Sequence, residues 1–183
     1  MEKKLILVTG PSGVGKTTIA YALLKDMPEL ERLVTFTTRE QRPNEKDGID
    51  YHFISREDFE EKIKNGQMFE YDEHYGYLYG NSKEDLEKIW KDNKIAMMVL
   101  DLQGVKTVLK VFPAATSIFL VPDTLDNLKN RILQRPMSQD DFDKRWEKAT
   151  SEMKEASVCT NQIENAEDEL EKTIEKVRNI ILQ

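Results

Sequence analysis

The chain has 183 residues, 39% of them apolar and 33% charged, and a formal net charge of −7. These values predict one soluble globular domain with a sizeable core, and the negative charge argues against general binding to nucleic acid or anionic membranes. Because the single cysteine cannot form an internal disulfide and the sequence shows neither a signal peptide nor an apolar run of roughly 20 residues, we expect a cytoplasmic protein.

The first predicted unit consists of a strand, a glycine-rich loop and a helix. A buried strand is predicted at 4–9 and a helix at about 16–26, from an apolar run and from helical spacing respectively. The segment between them reads Gly10-Pro11-Ser12-Gly13-Val14-Gly15-Lys16-Thr17. In such a loop the backbone N–H groups approach phosphate oxygens, the lysine adds positive charge and the threonine hydroxyl can bind Mg²⁺. The unit therefore predicts a site for a nucleoside triphosphate.

The middle of the chain, about 35–81, predicts a small mixed α/β insertion. Short strands are expected at 33–37 and 51–54, and on either side of the turn at Gly76. Ser55 is expected to cap a helix between them. This order of predicted elements differs from the strand–helix alternation at the two ends of the chain.

Three charged residues allow two interpretations each. Arg39 and Arg42 lie three residues apart in a polar loop, where they could clamp a phosphate or be solvated surface charges. Asp101 follows a hydrophobic strand, so its carboxylate could lie near Mg²⁺ or only cap the next helix.

Alternation of strands and helices resumes after the insertion. Strands are predicted at 95–100, 117–121 and 161–164, with helices before, between and after them. This pattern predicts the α/β class, with a parallel phosphate-loop sheet covered by helices on both faces and ligands at the carboxyl ends of its strands. Three arginines flank a charged amphipathic helix in this region and could close on transferring phosphates or form a solvated face: Arg131, Arg135 and Arg145.

Two segments of the insertion resemble the guanylate kinase family. They are TFTTREQRP at 35–43 and DGIDYHF at 47–53, and similar matches at 69–71, 79–80 and 101–104 extend the resemblance over nearly the whole chain. The resemblance implies a single domain in which a monophosphate-binding insertion (about 35–81) and a helical lid (about 135–151) are set into a phosphate-loop core. That core would comprise about 1–34, 82–134 and 152–183.

The resemblance also implies an activity, phosphoryl transfer from ATP with Mg²⁺ to a nucleoside monophosphate, with GMP or dGMP as the expected acceptor. Small-molecule nucleotides are the expected partners, and the oligomeric state stays open. The residues expected at ATP are Gly10, Pro11, Ser12, Gly13, Val14, Gly15, Lys16, Thr17, Thr18 and Asn165. Those expected at GMP are Arg39, Arg42, Tyr51 and Tyr79 on its phosphate, Thr35, Glu70 and Asp101 at its guanine, and Asn81. The expected catalytic residues are Lys16, Arg131, Arg135 and Arg145, and the expected magnesium ligands are Thr17 and Asp101.

The chain departs from the family pattern around the base and in the lid. Asn81 stands where Ser or Thr is usual, Val99 stands where an acidic residue is common, and the lid reads RPMS at 135–138 instead of Arg-Gly-Thr. Two alternatives therefore remain beside a guanylate kinase. One is a monophosphate kinase with a shifted base preference, and the other is a non-catalytic module that binds phosphorylated partners. The intact phosphate loop argues against the module.

Overall fold

Two sheets organise the part of the chain that the computed structural model describes, residues 3–74, 76–134 and 136–183, without the side chain of His74. The larger sheet is parallel throughout. Its strands are, in spatial order, β2 (Leu30–Arg32), β7 (Ile95–Val99), β1 (Leu5–Thr9), β8 (Thr116–Pro122) and β9 (Asn161–Asn165). The smaller, mixed sheet has the order β4 (His52–Phe53), β3 (Phe36–Thr37), β6 (Tyr77–Ser82) and β5 (Met68–His74).

Seven α-helices lie between or after these strands within the described ranges. They are α1 (Lys16–Asp26), α2 (Arg56–Lys64), α3 (Lys83–Lys91), α4 (Leu102–Val111), α5 (Leu125–Leu133), α6 (Gln139–Lys154) and α7 (Leu170–Ile181). The side chains of Ser55 and Ser82 accept hydrogen bonds from backbone N–H groups in the first turns of α2 and α3, as expected of N-cap residues. None of the helices in these ranges is long and apolar enough to cross a membrane.

The central strand β1 is buried on both faces. Ile6 and Val8 pack into a core that includes residues of α1, α5, α6 and α7, whereas Leu5 and Leu7 pack into a second core with residues of α3 and α4. Successive side chains of a strand point to opposite faces, so a continuous apolar run suits a strand with helices on both sides. The predicted α/β fold class is confirmed.

The strand predicted at 33–37 is wrong in its extent. Only Phe36–Thr37 is a strand, and the preceding strand β2 was not predicted because two of its three residues are charged. The Leu33 N–H bonds to Met97 O of the large sheet, whereas Thr35 O accepts from His52 of the small sheet. This extended, β-branched run therefore crosses from one sheet to the other instead of forming one strand.

Strand β6 lies between β3 and β5 and aligns three polar residues. Asn81 of β6 is the cross-strand partner of Glu70 of β5, and a register irregularity between Met68 and Glu70 sets this pairing. On the other side, Gly80 pairs with Phe36, which brings Thr35 beside Asn81. A hydroxyl, an amide and a carboxylate thus follow one another across the small sheet.

Candidate active site

The phosphate loop lies between the carboxyl end of β1 and the start of α1, and its glycines occupy conformations that favour glycine. Gly10, Gly13 and Gly15 have φ values of 143°, 84° and 102°. A Cβ atom on Gly10 would lie 2.5 Å from Leu120 O, and one on Gly15 would lie 2.6 Å from Asn165 Nδ2. These two positions therefore require glycine both for backbone conformation and for close packing.

We expect Gly10→Ala to destabilise the protein considerably more than Gly48→Ala. Both glycines have positive φ, but the space around a Cβ atom on Gly48 is open to 4 Å. Gly48→Ala should cost about 1–2 kcal/mol from backbone strain alone, whereas Gly10→Ala adds a collision with a backbone carbonyl. Urea unfolding of the two variants measures the difference, and equal losses would show that the close approach at Gly10 is unimportant.

A cleft of about 730 Å³ opens beside this loop. Ser12, Gly13, Gly15 and residues 16–18 line it together with Arg131, Asn165 and the turn at 166–168. Gly10, Pro11 and Val14 are buried within the loop. Lys16 Nζ donates hydrogen bonds to Gly10 O and Pro11 O, at 2.5 and 3.1 Å, so its ammonium group lies against the loop.

Asn165 supports the loop from the end of β9. Its buried side chain donates from Nδ2 to Val14 O at 2.8 Å. Its Oδ1 atom is buried and makes no hydrogen bond to the described residues. The side chain therefore braces the loop, and its expected position at the adenine ring stays a prediction.

Arg39 is held in an aromatic and acidic setting beside the small sheet. Its guanidinium group donates to both carboxylate oxygens of Glu45, at 2.7 and 2.9 Å, and lies 5.4 Å from the Tyr51 ring centre and 5.7 Å from that of Phe53. The hydrogen bond from Arg39 is the main cause that lowers the pKa of Glu45. Tyr51 in turn packs edge-on against Tyr79.

Arg42 joins this group through its backbone. It is exposed, and its N–H donates to Glu45 Oε2 at 2.9 Å. The structure thus brings together four residues that were expected at the acceptor phosphate. Sequence reasoning missed Glu45, because no motif or regular spacing marks it.

Three of the residues expected at GMP form a largely buried hydrogen-bonded row. Thr35 Oγ1 donates to Asn81 Oδ1 at 3.1 Å, and Asn81 Nδ2 donates to Glu70 Oε2 at 2.8 Å. Only 5% of the surface of Glu70 is exposed. Burial raises the pKa of Glu70 to about 7; the Asn81 amide opposes this shift and the charges of Asp101 and Asp72 add to it.

Asp101 occupies the junction where β7 ends and α4 begins. Its Oδ1 atom accepts from Gly104 N at 2.9 Å, so Asp101 caps α4. Its Oδ2 atom accepts from Lys148 Nζ of α6 at 2.7 Å. Lys148 and the nearby Glu152 were not singled out from the sequence, where they looked like part of a charged helical face.

The expected catalytic arginines fall in different places. Arg131 lines the 730 Å³ cleft, and Arg145 lines a cavity of about 190 Å³ together with Lys16 and Ser12. Arg135 lies outside the described residues.

The oxygen donors beside the loop fit a magnesium ion shared with phosphates. The described residues contain no group of three or more His, Cys, Asp or Glu side chains that could hold a metal. Mg²⁺ is commonly bound by one or two protein oxygens, with substrate phosphates and water as its other ligands. The exposed Thr17 hydroxyl, beside Lys16 at the cleft, suits this arrangement. A role for Asp101 as a ligand stays a prediction.

Comparisons with known proteins give one consistent family. The family model described as guanylate kinase matches residues 2–183. The chain is 37% identical to guanylate kinase of Bdellovibrio bacteriovorus over 182 residues, covering 99% of this chain and 97% of the relative. It is 36% identical to guanylate kinase of Latilactobacillus sakei over 178 residues, with coverages of 93% and 88%. The crystal structure of guanylate kinase from Anaplasma phagocytophilum matches with a TM-score of 0.77 and 27% identity, over 98% of this chain and 84% of that one.

Proposed function

Because the chain belongs to the guanylate kinase family, we propose that it transfers the γ-phosphoryl group of MgATP to GMP between the phosphate loop and the small sheet. One observation gives the proposal its main support. Thr17 at the start of α1 and Tyr51, which lies against Arg39 and Tyr79, line the same small cavity, of about 80 Å³. The proposed donor and acceptor phosphate sites therefore adjoin, as direct transfer between two nucleotides requires.

The donor site is the 730 Å³ cleft. Backbone N–H groups of the loop and the positive end of the α1 dipole bind the ATP phosphates, and Lys16 adds charge at the β- and γ-phosphates. Thr17, and by family resemblance Asp101, would hold the magnesium ion. When bound, that ion supplies positive charge to the phosphate oxygens.

The acceptor site uses Arg39, Arg42, Tyr51 and Tyr79 on the GMP phosphate. Guanidinium groups suit this task because they stay charged and bind two oxygens at once. The Glu45 carboxylate orients the Arg39 guanidinium in advance, which reduces the entropy that the side chain loses on binding.

The transfer step needs alignment and charge neutralisation more than covalent chemistry from the protein. Lys16, Arg131 and Arg145 neutralise charge on the transferring group, and by family resemblance Arg135 joins them. Closure of the segment at about 135–151 over the phosphate-loop core would exclude water, which would otherwise accept the phosphoryl group. The segment at about 35–81 would act as the monophosphate-binding unit.

The base site is the row formed by Thr35, Asn81 and Glu70. Guanine has two adjacent donors, N1–H and the 2-amino group, and an ionised carboxylate accepts both. Since Glu70 is almost fully buried, one edge of its carboxylate must become accessible when the base binds.

Turnover of ATP with a panel of monophosphates tests the proposal. We expect ADP formation with GMP and dGMP to exceed that with AMP, CMP and UMP. A better rate with AMP or a pyrimidine nucleotide would indicate a shifted base preference. Nucleotide binding without turnover of any monophosphate would favour the non-catalytic module.

Replacing Arg39 with Ala should weaken GMP binding while ATP affinity stays nearly constant. The loss of a charge-assisted hydrogen bond to phosphate costs roughly 1.5–3 kcal/mol, or about 10- to 150-fold in affinity. Arg56→Ala is the matched control, because Arg56 lies in the same segment and pairs with Glu60 and Glu73 at the surface. Calorimetry with each nucleotide gives the comparison, and a fall in ATP affinity instead would reverse the assignment.

A further inference from the structure

Helix α6 reaches the β7–α4 junction through two charged side chains that lie one turn apart. Lys148 Nζ lies 2.7 Å from Asp101 Oδ2 and 3.9 Å from Glu152 Oε1. Glu152 is buried, which raises the pKa of its carboxyl, and the charge of Lys148 opposes that shift. One helix therefore places a lysine against the last residue before α4 and a buried carboxyl beside that lysine.

The same side chains border the 190 Å³ cavity between α6 and the phosphate loop. Lys16, Arg145 and Lys148 contribute three positive charges to its lining, and Asp101 and Glu152 contribute two carboxylates. In the proposed function, on which this inference rests, Lys16 and Arg145 neutralise charge on the transferring phosphoryl group. Carboxylates that line the same cavity without a cation beside them would repel that group, and the repulsion is stronger in a partly buried site than in water.

We propose that Lys148 is a positioning residue for phosphoryl transfer. It neutralises Asp101 and holds α6 against the β7–α4 junction. Arg145 lies on the same helix, one turn before Lys148. The Lys148–Asp101 pair therefore fixes where Arg145 stands relative to Lys16 across the cavity. Phosphoryl transfer depends on such alignment, and small displacements of charged groups slow it considerably.

If the ion pair had a purely structural role, its loss would lower the free energy of unfolding. The positioning role predicts a different outcome. Lys148 is half-exposed, and exposed ion pairs contribute little to the free energy of unfolding. Loss of the lysine charge should therefore leave the unfolding transition nearly unchanged while it slows turnover.

The test compares Lys148→Met with Lys154→Met in the full-length protein. Lys154 is exposed in the last turn of the same helix, so its variant controls for loss of a lysine charge. We expect kcat with ATP and GMP to fall about 10- to 100-fold in Lys148→Met, with both KM values changed less than threefold. Lys148→Arg should keep most of the turnover, because arginine can make the same ion pair.

Each outcome of this comparison supports or overturns the positioning role of Lys148. Equal kcat values for Lys148→Met and Lys154→Met would overturn the inference and leave the proposed function intact. A loss confined to KM for GMP, or a loss that Lys148→Arg does not restore, would also overturn it. If Lys148→Met does not fold, Lys148→Gln provides the same comparison. A wild-type protein that phosphorylates no monophosphate would refute the proposed function and this inference together.

Discussion

Replacing Lys16 with Met is expected to lower kcat for GMP phosphorylation by at least about 100-fold while the protein stays folded. The Lys16 side chain lines both the cleft beside the phosphate loop and the cavity under α6. It is therefore the one described cation that borders both volumes. Methionine is nearly as long as lysine but uncharged, so the variant removes charge stabilisation from the transition state with little change in packing. Steady-state kinetics and circular dichroism measure the two effects.

Lys25→Met provides the matched control for this experiment. Lys25 is exposed in the last turn of α1, the helix that begins with Lys16. The control should keep wild-type turnover. Near wild-type turnover of GMP by Lys16→Met itself would mean that the phosphate-loop assignment is wrong.

The phosphate loop could be predicted from the sequence because its geometry is local. Glycines at positive φ, a preceding buried strand and a following helix all lie within about 20 consecutive residues. The predicted strand at 4–9 and helix at 16–26 match β1 and α1 closely. A local motif of this kind determines its own backbone and the chemistry that the backbone can perform.

The contacts of the small sheet were beyond sequence reasoning because they depend on register. The pairing of Asn81 with Glu70 follows from an irregularity in β5, which shifts every later residue of the strand by one position. Family resemblance named both residues, but not the hydrogen bond that joins them. The substitution of Asn for Ser or Thr, which left base choice open, places an amide donor on the Glu70 carboxylate.

The Lys148–Asp101 ion pair also could not be predicted from the sequence, because it joins residues that are far apart in the chain. Its partners are separated by 47 residues and meet only because α6 packs beside the end of β7. In the sequence, Lys148 belongs to a charged amphipathic helix, a pattern that usually indicates a solvated face. Nothing in that pattern distinguishes a lysine that reaches the site from one that does not.

Glu70→Gln is expected to stabilise the fold at high pH. The pKa of Glu70 is raised by burial from 4.5 to about 7. The folded protein therefore binds this proton more tightly than the unfolded chain does. The resulting contribution to the free energy of unfolding is fully present below about pH 4.5 and is lost as the pH rises through about 7. The free energy of unfolding of the neutral variant should exceed that of the wild type by about 3 kcal/mol at pH 8 and by about 1 kcal/mol at pH 5. Urea unfolding of both proteins at both pH values tests this. The same difference in unfolding free energy at pH 5 and at pH 8 would contradict a carboxyl that titrates in its buried position.

The same substitution should erode the preference for GMP over AMP. Glutamine offers one acceptor and one NH₂ group, so one of the two guanine donors would face another donor and lose its partner. We expect the ratio of kcat/KM for GMP to that for AMP to fall roughly 5- to 150-fold, corresponding to about 1–3 kcal/mol for an unpaired buried polar group. ATP affinity should stay constant, because Glu70 lies in the small sheet, whereas the phosphate loop follows β1 of the large sheet.

Glu73→Gln is the control for this change in base preference, since Glu73 is an exposed carboxylate on the same strand. It should leave the GMP-to-AMP ratio at the wild-type value. Adenine has no N1–H donor, so an ionised Glu70 disfavours it in the wild type and the neutral glutamine removes that penalty. An unchanged ratio in Glu70→Gln would therefore remove Glu70 from the base site. A wild-type protein that prefers AMP would refute guanine recognition while leaving the phosphate sites in place.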